Sequence, residues 1–202
     1  LVYTIEQAKK ELKELNREQL QSDTSGLLDI FLEESIEIKP KLIVELGVKR
    51  GISTISFSKI AKIYDSILVG IDKNDCSKSC DLDGWVFLQG KSMDIGKLFK
   101  RWCKSHKKDG IDILFIDTSH LYEYTVEELD IWIPIMNKTC KVFLHDTNPK
   151  IKENIETYGV KRALEEFLDF KFNSDEEFCI NVKEWNFKHI PNNGGLAILT
   201  RR

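Results

Sequence analysis

With 202 residues the chain is long enough for one well-filled core, and 42 % hydrophobic against 31 % charged residues excludes a disordered or fibrous protein. A net charge of -3 gives no electrostatic reason for a nucleic-acid partner, and no apolar run approaches the roughly 20 residues that cross a bilayer. Five cysteines, an odd number, together with a charged amino-terminal pattern (LVYTIEQAKKELKEL), lead us to expect a soluble cytoplasmic protein with reduced thiols.

The first forty residues carry two helical patterns. Ile5, Ala8, Leu12 and Leu15 recur at spacings of three and four, and Leu27, Leu28, Phe31 and Leu32 follow before Pro40. We read 1–40 as a helical extension that packs on a core formed by 41–202. From Lys41 onward β-rich runs alternate with helical ones: KLIVEL, a helix from Ile52 to about Tyr64, SILVGID, WVFLQG, and a helix around DIGKLFKRWCKSH. The alternation continues with GIDILFID, the helical TVEELDIWIPIM, the strand CKVFLHD, the helix YGVKRALEEFLDF and a terminal strand GGLAILTRR. Strands apolar on both faces and separated by helices predict an α/β, doubly wound, mostly parallel sheet covered on both sides. Lys171 to Asn193 reads as irregular. It holds Phe172, Phe178, Trp185, Phe187 and His189, which either wall a pocket or belong to the core.

In such a sheet, ligands sit beyond the carboxyl ends of the strands, at the first βα turn. The stretch LIVELGVKRGIST places Glu45, Gly47 and Gly51 there. Glycine permits unusual backbone angles and a close approach of a ligand to the main chain. The spacing Glu45-x-Gly47-x-x-x-Gly51 departs from the G-x-G-x-x-G of dinucleotide sites. The second strand ends in Asp72, where a carboxylate can accept hydrogen bonds from both hydroxyls of a ribose. Glycine loop and strand-ending acid together describe a nucleoside site.

These residues resemble those of the class I S-adenosylmethionine-dependent methyltransferases. The resemblance implies a Rossmann-like sheet of seven strands, the last antiparallel, with Glu45, Gly47, Gly51 and Ser53 cradling the amino-acid part of S-adenosylmethionine. It also implies Asp72 at the ribose, Ser92 and Met93 at the adenine, and Asp117 beside the cofactor.

The fourth strand runs into FIDTSHLYEY and the fifth ends VFLHDT, so Asp117, His120, His145 and Asp146 should converge on one crevice. FID-x-x-H-x-Y-E, the later D-x-W-x-P, HDT and NNGGLAIL resemble the cephalosporin hydroxylase-like and sugar or macrolide O-methyltransferase branch, over Leu42 to the C-terminus. That resemblance implies Asp117, His120 and Asp146 as catalytic residues, with His120 as general base, and a divalent metal (Mg²⁺ or Mn²⁺) on Asp117, His145 and Asp146. Two carboxylates and an imidazole suit a transition ion better than magnesium, which prefers hard oxygen donors. An equally simple reading leaves the metal out and makes His145 a polar group of the acceptor pocket.

The function expected is therefore O-methylation of a small hydroxylated or sugar-containing acceptor, with base or metal assistance. Two alternatives stay open: a non-catalytic nucleoside-cofactor-binding accessory protein, kept alive by His145 and Lys91, and an NAD(P)-dependent oxidoreductase on a similar sheet. A small-molecule acceptor is the expected partner, with a homo-oligomer formed through the amino-terminal helices as a further expectation and neither nucleic acid nor membrane. Cys76-x-x-x-Cys80 with Asp75, Asp81 and Asp83 invites a zinc site, but no second ligand pair follows at structural-zinc spacing.

Overall fold

The computed structural model describes residues 2–148 and 155–201. Two helices come first, α1 (Ile5–Glu14) and α2 (Leu28–Ile36). Thr4 starts α1 with a capping box, its hydroxyl accepting from the Gln7 N–H while the Gln7 side chain accepts from the Thr4 N–H. The alternating part contains β1 (Leu42–Leu46), α3 (Ile52–Tyr64), β2 (Ile67–Asp72), β3 (Trp85–Gln89), α4 (Ser92–Ser105), β4 (Ile111–Ile116), α5 (Tyr122–Trp132) and β5 (Met136–His145). The chain closes with α6 (Ile155–Leu168), β6 (Phe178–Val182), β7 (Trp185–Ile190) and β8 (Leu196–Arg201).

All eight strands form one sheet in the order β3-β2-β1-β4-β5-β8-β7-β6. The first five pair in parallel, and β8, β7 and β6 add an antiparallel edge. The doubly wound, mostly parallel sheet is as expected, with eight strands rather than seven. The additional strand arises from the stretch read as irregular. Phe178, Ile180 and Val182, then Trp185, Phe187 and His189, alternate inward with period two, and Lys183 takes the positive φ of 51° that the tight hairpin turn requires. Trp185 and Phe187 are fully buried core residues and line neither cavity described below. A second difference lies after α5, which ends at Trp132. Pro134 sits in a short 3₁₀ turn, and Met136 already begins β5.

Period-two alternation sends the strands' side chains to two apolar layers. Leu42, Val44 and Leu46 face the layer that includes Phe99, Leu129, Trp132 and Leu164 of α4, α5 and α6. Ile43, Phe115 and Phe143 face Phe31 and Phe57 of α2 and α3, whose rings meet edge-on or tilted at 5.1–6.2 Å. The amino-terminal helices therefore cover one face of the sheet. Lys141, on that face of β5, is buried, and its ammonium donates to Glu34 of α2 at 2.6 Å, with Lys188 of β7 on the other carboxylate oxygen at 2.9 Å. Among the described residues no helix is long and apolar enough to cross a membrane.

Removing one partner of a buried ion pair leaves the other charge desolvated. Glu34→Ala is expected to lower the unfolding free energy by about 3 kcal/mol, measured as a lower urea midpoint at unchanged m-value. Lys188→Ala, whose side chain is one-third exposed, should cost well under half of that.

Candidate functional site

The parallel ladder continues past β1 and β4: the Gly47 N–H donates to the Ile71 carbonyl at 2.9 Å, and the Asp117 N–H donates to the Leu46 carbonyl at 2.9 Å. The two strand ends thus converge where the connections diverge, the switch point at which open α/β sheets bind ligands. Gly47 has φ 88°, and a Cβ there would lie 2.0 Å from the Asp117 carbonyl oxygen. Only glycine fits. Gly51 caps α3 at φ 73°, and a Cβ would lie 2.8 Å from Ser79 Cβ.

Glu45 alternates toward α3 and is fully buried. Its carboxyl accepts from the Ser53 hydroxyl on one oxygen and from the Thr54 hydroxyl at 2.7 Å on the other. It pins the start of α3 and lines neither cavity, whereas Ser53 lines one of them. Burial, reinforced by the charges of Asp117 and Asp72, pushes Glu45 up to about 7 against the two hydroxyl donors.

Asp72 ends β2 with both oxygens oriented, accepting from the Lys49 N–H at 3.0 Å and from the Asn74 N–H at 2.9 Å. It stands in the wall of a cavity of about 390 Å³ that also includes Gly90, Ser92, Thr118, Ser119 and Tyr124. A second cavity, of about 330 Å³, lies between the glycine loop and the amino-terminal segment, lined by Gln21 to Thr24, Arg50, Ile52 and Ser53. Gly47, Lys49 and Asp117 line both. Met93 is buried and lines neither.

Asp117, His120, His145 and Asp146 do converge. His120 Nε2 lies 2.9 Å from Asp117 Oδ1 and 3.0 Å from Asp146 Oδ2. His145 Nε2 donates to the Asn193 carbonyl at 2.7 Å, which leaves Nδ1 buried, without a hydrogen bond, 3.6 Å from Asp117 and 3.4 Å from Asp146. Desolvation opposes charge on Asp117, but His145 and His120 outweigh it and hold the carboxyl well below the usual range. Burial likewise disfavours an imidazolium at His145, yet Asp117 and Asp146 raise it to about 10. Both His120 (φ 61°) and Asp146 (φ 59°) adopt the left-handed backbone, strain of the kind found where side chains are aimed for a task. Asp117, His120 and Asp146 offer ligand atoms within 4.8 Å of one another, a grouping that could hold a metal ion and that includes His120 but not His145. Among the described residues Cys76 and Cys80 belong to no such group and all five thiols are free.

Two wall residues, Thr118 and Ser119, escaped the sequence reading, as did Glu128 behind the wall. Thr118 and Ser92 both donate to Glu128, a fully buried carboxylate of α5, and Ser119 holds a buried hydroxyl without a partner. The signal for Glu128 was an acid on the inner side of α5, one residue before the core Leu129.

A family model described as a methyltransferase domain matches residues 44–147, more than half of the chain. No curated protein matches it. Among solved structures the chain is similar to a protein assigned as a caffeoyl-CoA O-methyltransferase from Staphylococcus aureus, with TM-score 0.66, 13 % identity and 96 % of each chain covered. It is similar also to the O-methyltransferase TomG from Streptomyces achromogenes, involved in tomaymycin synthesis and solved with S-adenosylmethionine (TM-score 0.61, 15 % identity, 98 % of this chain and 87 % of that one). A third is the MycE methyltransferase of the mycinamycin biosynthetic pathway, solved with Mg, S-adenosylhomocysteine and mycinamycin VI (TM-score 0.59, 16 % identity, 87 % of this chain and 50 % of that one). At these identities the likeness is one of fold. The family match overturns the nicotinamide oxidoreductase reading.

Because Glu45 has a folded pKa of about 7 against 4.5 for the free group, the folded chain keeps a proton that the unfolded chain releases between those values. The stability this proton supplies is complete below about pH 4.5 and gone above pH 7. Compared with Glu45→Gln, the ligand-free wild type should therefore lose melting temperature as pH rises from 5 to 8. A difference that stays flat would mean that Glu45 is ionised in the folded protein throughout.

Proposed function

The chain belongs to the methyltransferase-domain family, and from that membership we propose that it methylates a hydroxyl of a small, hydroxylated or sugar-containing acceptor. The supporting observation is the join of the two cavities at Gly47, Lys49 and Asp117. S-adenosylmethionine has two polar ends and a cationic centre, and the walls match each part. Asp72, pinned by two backbone N–H groups, keeps lone pairs for the ribose hydroxyls. In the second cavity the free first N–H groups of α3, with Lys49 and Arg50, suit an α-carboxylate. Asp117 at the join would set negative charge beside the sulfonium of a cofactor that spans both cavities.

S-adenosylmethionine supplies a methyl carbon already activated by its sulfonium, so the protein has to align the acceptor and receive its proton. Bound there, S-adenosylmethionine would supply that methyl group to the acceptor oxygen, with the carbon–sulfur electron pair left on sulfur. Asp117 lines the join, and His120 and Asp146 adjoin it, so these three are the residues proposed to meet that oxygen. His120 can serve in one of two ways, as the base that takes the proton or as a ligand, because Nε2 cannot do both. The ligand role is favoured by the position of Nε2, within 3.0 Å of both the Asp117 and the Asp146 carboxylates. A divalent cation held by Asp117, His120 and Asp146 would supply Lewis acidity toward the acceptor oxygen, and the mixed oxygen and nitrogen donors favour Mn²⁺, Fe²⁺ or Zn²⁺ over Mg²⁺.

Calorimetric titration should give saturable binding of S-adenosylmethionine and S-adenosylhomocysteine, weakened about 10- to 100-fold in Asp72→Ala by the loss of hydrogen bonds to a charged group. Absence of binding would remove the methyltransferase reading. Mn²⁺ titration followed by electron paramagnetic resonance should show one bound ion, lost in His120→Ala and Asp146→Ala. If Mn²⁺ does not bind while methyl transfer persists in EDTA and fails in His120→Ala, His120 is the base.

A further inference from the structure

We propose that Glu128 sets the base preference of the larger cavity: it fixes the Ser92 and Thr118 hydroxyls as hydrogen-bond acceptors toward a purine that carries an amino group at C6. The inference rests on the reading that this cavity takes the nucleoside half of the cofactor.

Glu128 is fully buried and projects from α5 between two other elements. One carboxylate oxygen accepts from the hydroxyl of Ser92, in the first turn of α4, and the other accepts from the Thr118 hydroxyl at 2.8 Å, in the loop after β4. Holding a carboxylate away from water is costly, and an apolar side chain would join the three elements without that cost. What the acid adds is polarity. A carboxylate only accepts, so the one proton of each hydroxyl is committed to it, and each oxygen has only lone pairs left for other partners. Ser92 and Thr118 both line the cavity that Asp72 borders. Two acceptor-only oxygens there match an exocyclic amine, which has two N–H donors, and oppose a carbonyl, which has none. Adenine presents the amine at C6 and hypoxanthine presents the carbonyl. Discrimination then comes from leaving acceptors facing an acceptor in a desolvated wall.

Glu128→Gln keeps the shape and reverses half of the arrangement. Its carboxamide still accepts from one hydroxyl through oxygen, but its NH₂ donates to the other and turns that hydroxyl's proton toward the cavity. Glu128 is thus a positioning residue that acts through two hydroxyls, and a ratio of affinities reads its role where a single affinity would not.

The test is calorimetric titration of S-adenosylhomocysteine and of S-inosylhomocysteine, its 6-oxo analogue, into the full chain. Wild type should prefer the amino compound by about 10- to 100-fold, and Glu128→Gln should lower that ratio about tenfold, partly through tighter binding of the oxo compound. Thr118→Val, which removes one acceptor together with one of the two donors to the buried acid, should give an intermediate ratio and serves if Glu128→Gln does not fold. Equal wild-type affinities for the two compounds would overturn the proposal and leave the cofactor reading standing. A ratio unchanged in both variants, with both affinities lowered together, would also overturn it and make Glu128 a structural brace. If S-adenosylhomocysteine itself fails to bind wild type, the cofactor reading falls and this inference with it.

Discussion

The close approach of Gly47 to the carbonyl of Asp117 is the contact on which the site depends. A Cβ on residue 47 would stand 2.0 Å from that oxygen, so the ends of β1 and β4 can meet only if one of them carries glycine. Their meeting sets the junction of the two cavities, because both strand ends face it. It also places the Asp117 carboxylate within 2.9 Å of His120 and 3.6 Å of His145. A wider separation would leave each acid at a strand end with its own solvent shell. The glycine loop therefore does more than clear room for a ligand: it brings the walls of both cavities and the Asp117, His120 and Asp146 cluster to one point.

That point is rich in acid. Glu45, Asp72, Asp117, Glu128 and Asp146 are all buried; the sheet's alternation and the strand ends collect four of them, and α5 adds Glu128. Each is managed by a different device. Glu45 and Glu128 are raised by burial and held by hydroxyl donors, whereas Asp72 takes backbone N–H groups and Asp117 is kept ionised by the two histidines. Such a region favours a ligand that brings positive charge, as a sulfonium with an α-ammonium or a divalent cation does.

The parallel part of the fold was legible because its strands are apolar on both faces and its helices keep a period near 3.6, signals that survive without knowledge of partners. Strand ends were legible for the same reason: Glu45, Asp72, Asp117 and the pair His145-Asp146 each follow a buried run. The β6–β7 hairpin was not. Its inward positions alternate, but Lys183 and Glu184 form a turn with neither glycine nor asparagine, and the aromatic content resembled a pocket wall. Glu128, Thr118 and Ser119 could not be assigned from sequence, because their meaning comes from a contact between α4, α5 and the end of β4. The orientation of His145 was equally hidden: its Nε2 donates to the Asn193 carbonyl, 48 residues away in sequence, which turns Nδ1 toward the two carboxylates.

Asn193 also ties the amino-terminal segment to the Asp117, His120, His145 and Asp146 cluster. Gly26, in the 3₁₀ turn before α2, packs so closely on Asn193 that a Cβ would lie 2.6 Å from its side-chain nitrogen. Asn193 in turn accepts from His145, and the adjoining Gly194 leaves no room for a Cβ beside Asp146, which would come within 2.7 Å of its carboxylate. The segment from Gln21 to Thr24, just before Gly26, lines the second cavity. The ion pair between Glu34 and Lys141 and the ring cluster of Phe31, Phe57, Phe115 and Phe143 fix α2 on the sheet behind it. A displacement of the amino-terminal helices would therefore open the cavity and unseat the Asn193 loop together. Packing in this segment thus bears on two functional parts at once: the wall against which the cofactor's amino-acid half would lie, and the orientation of the imidazole that faces both carboxylates.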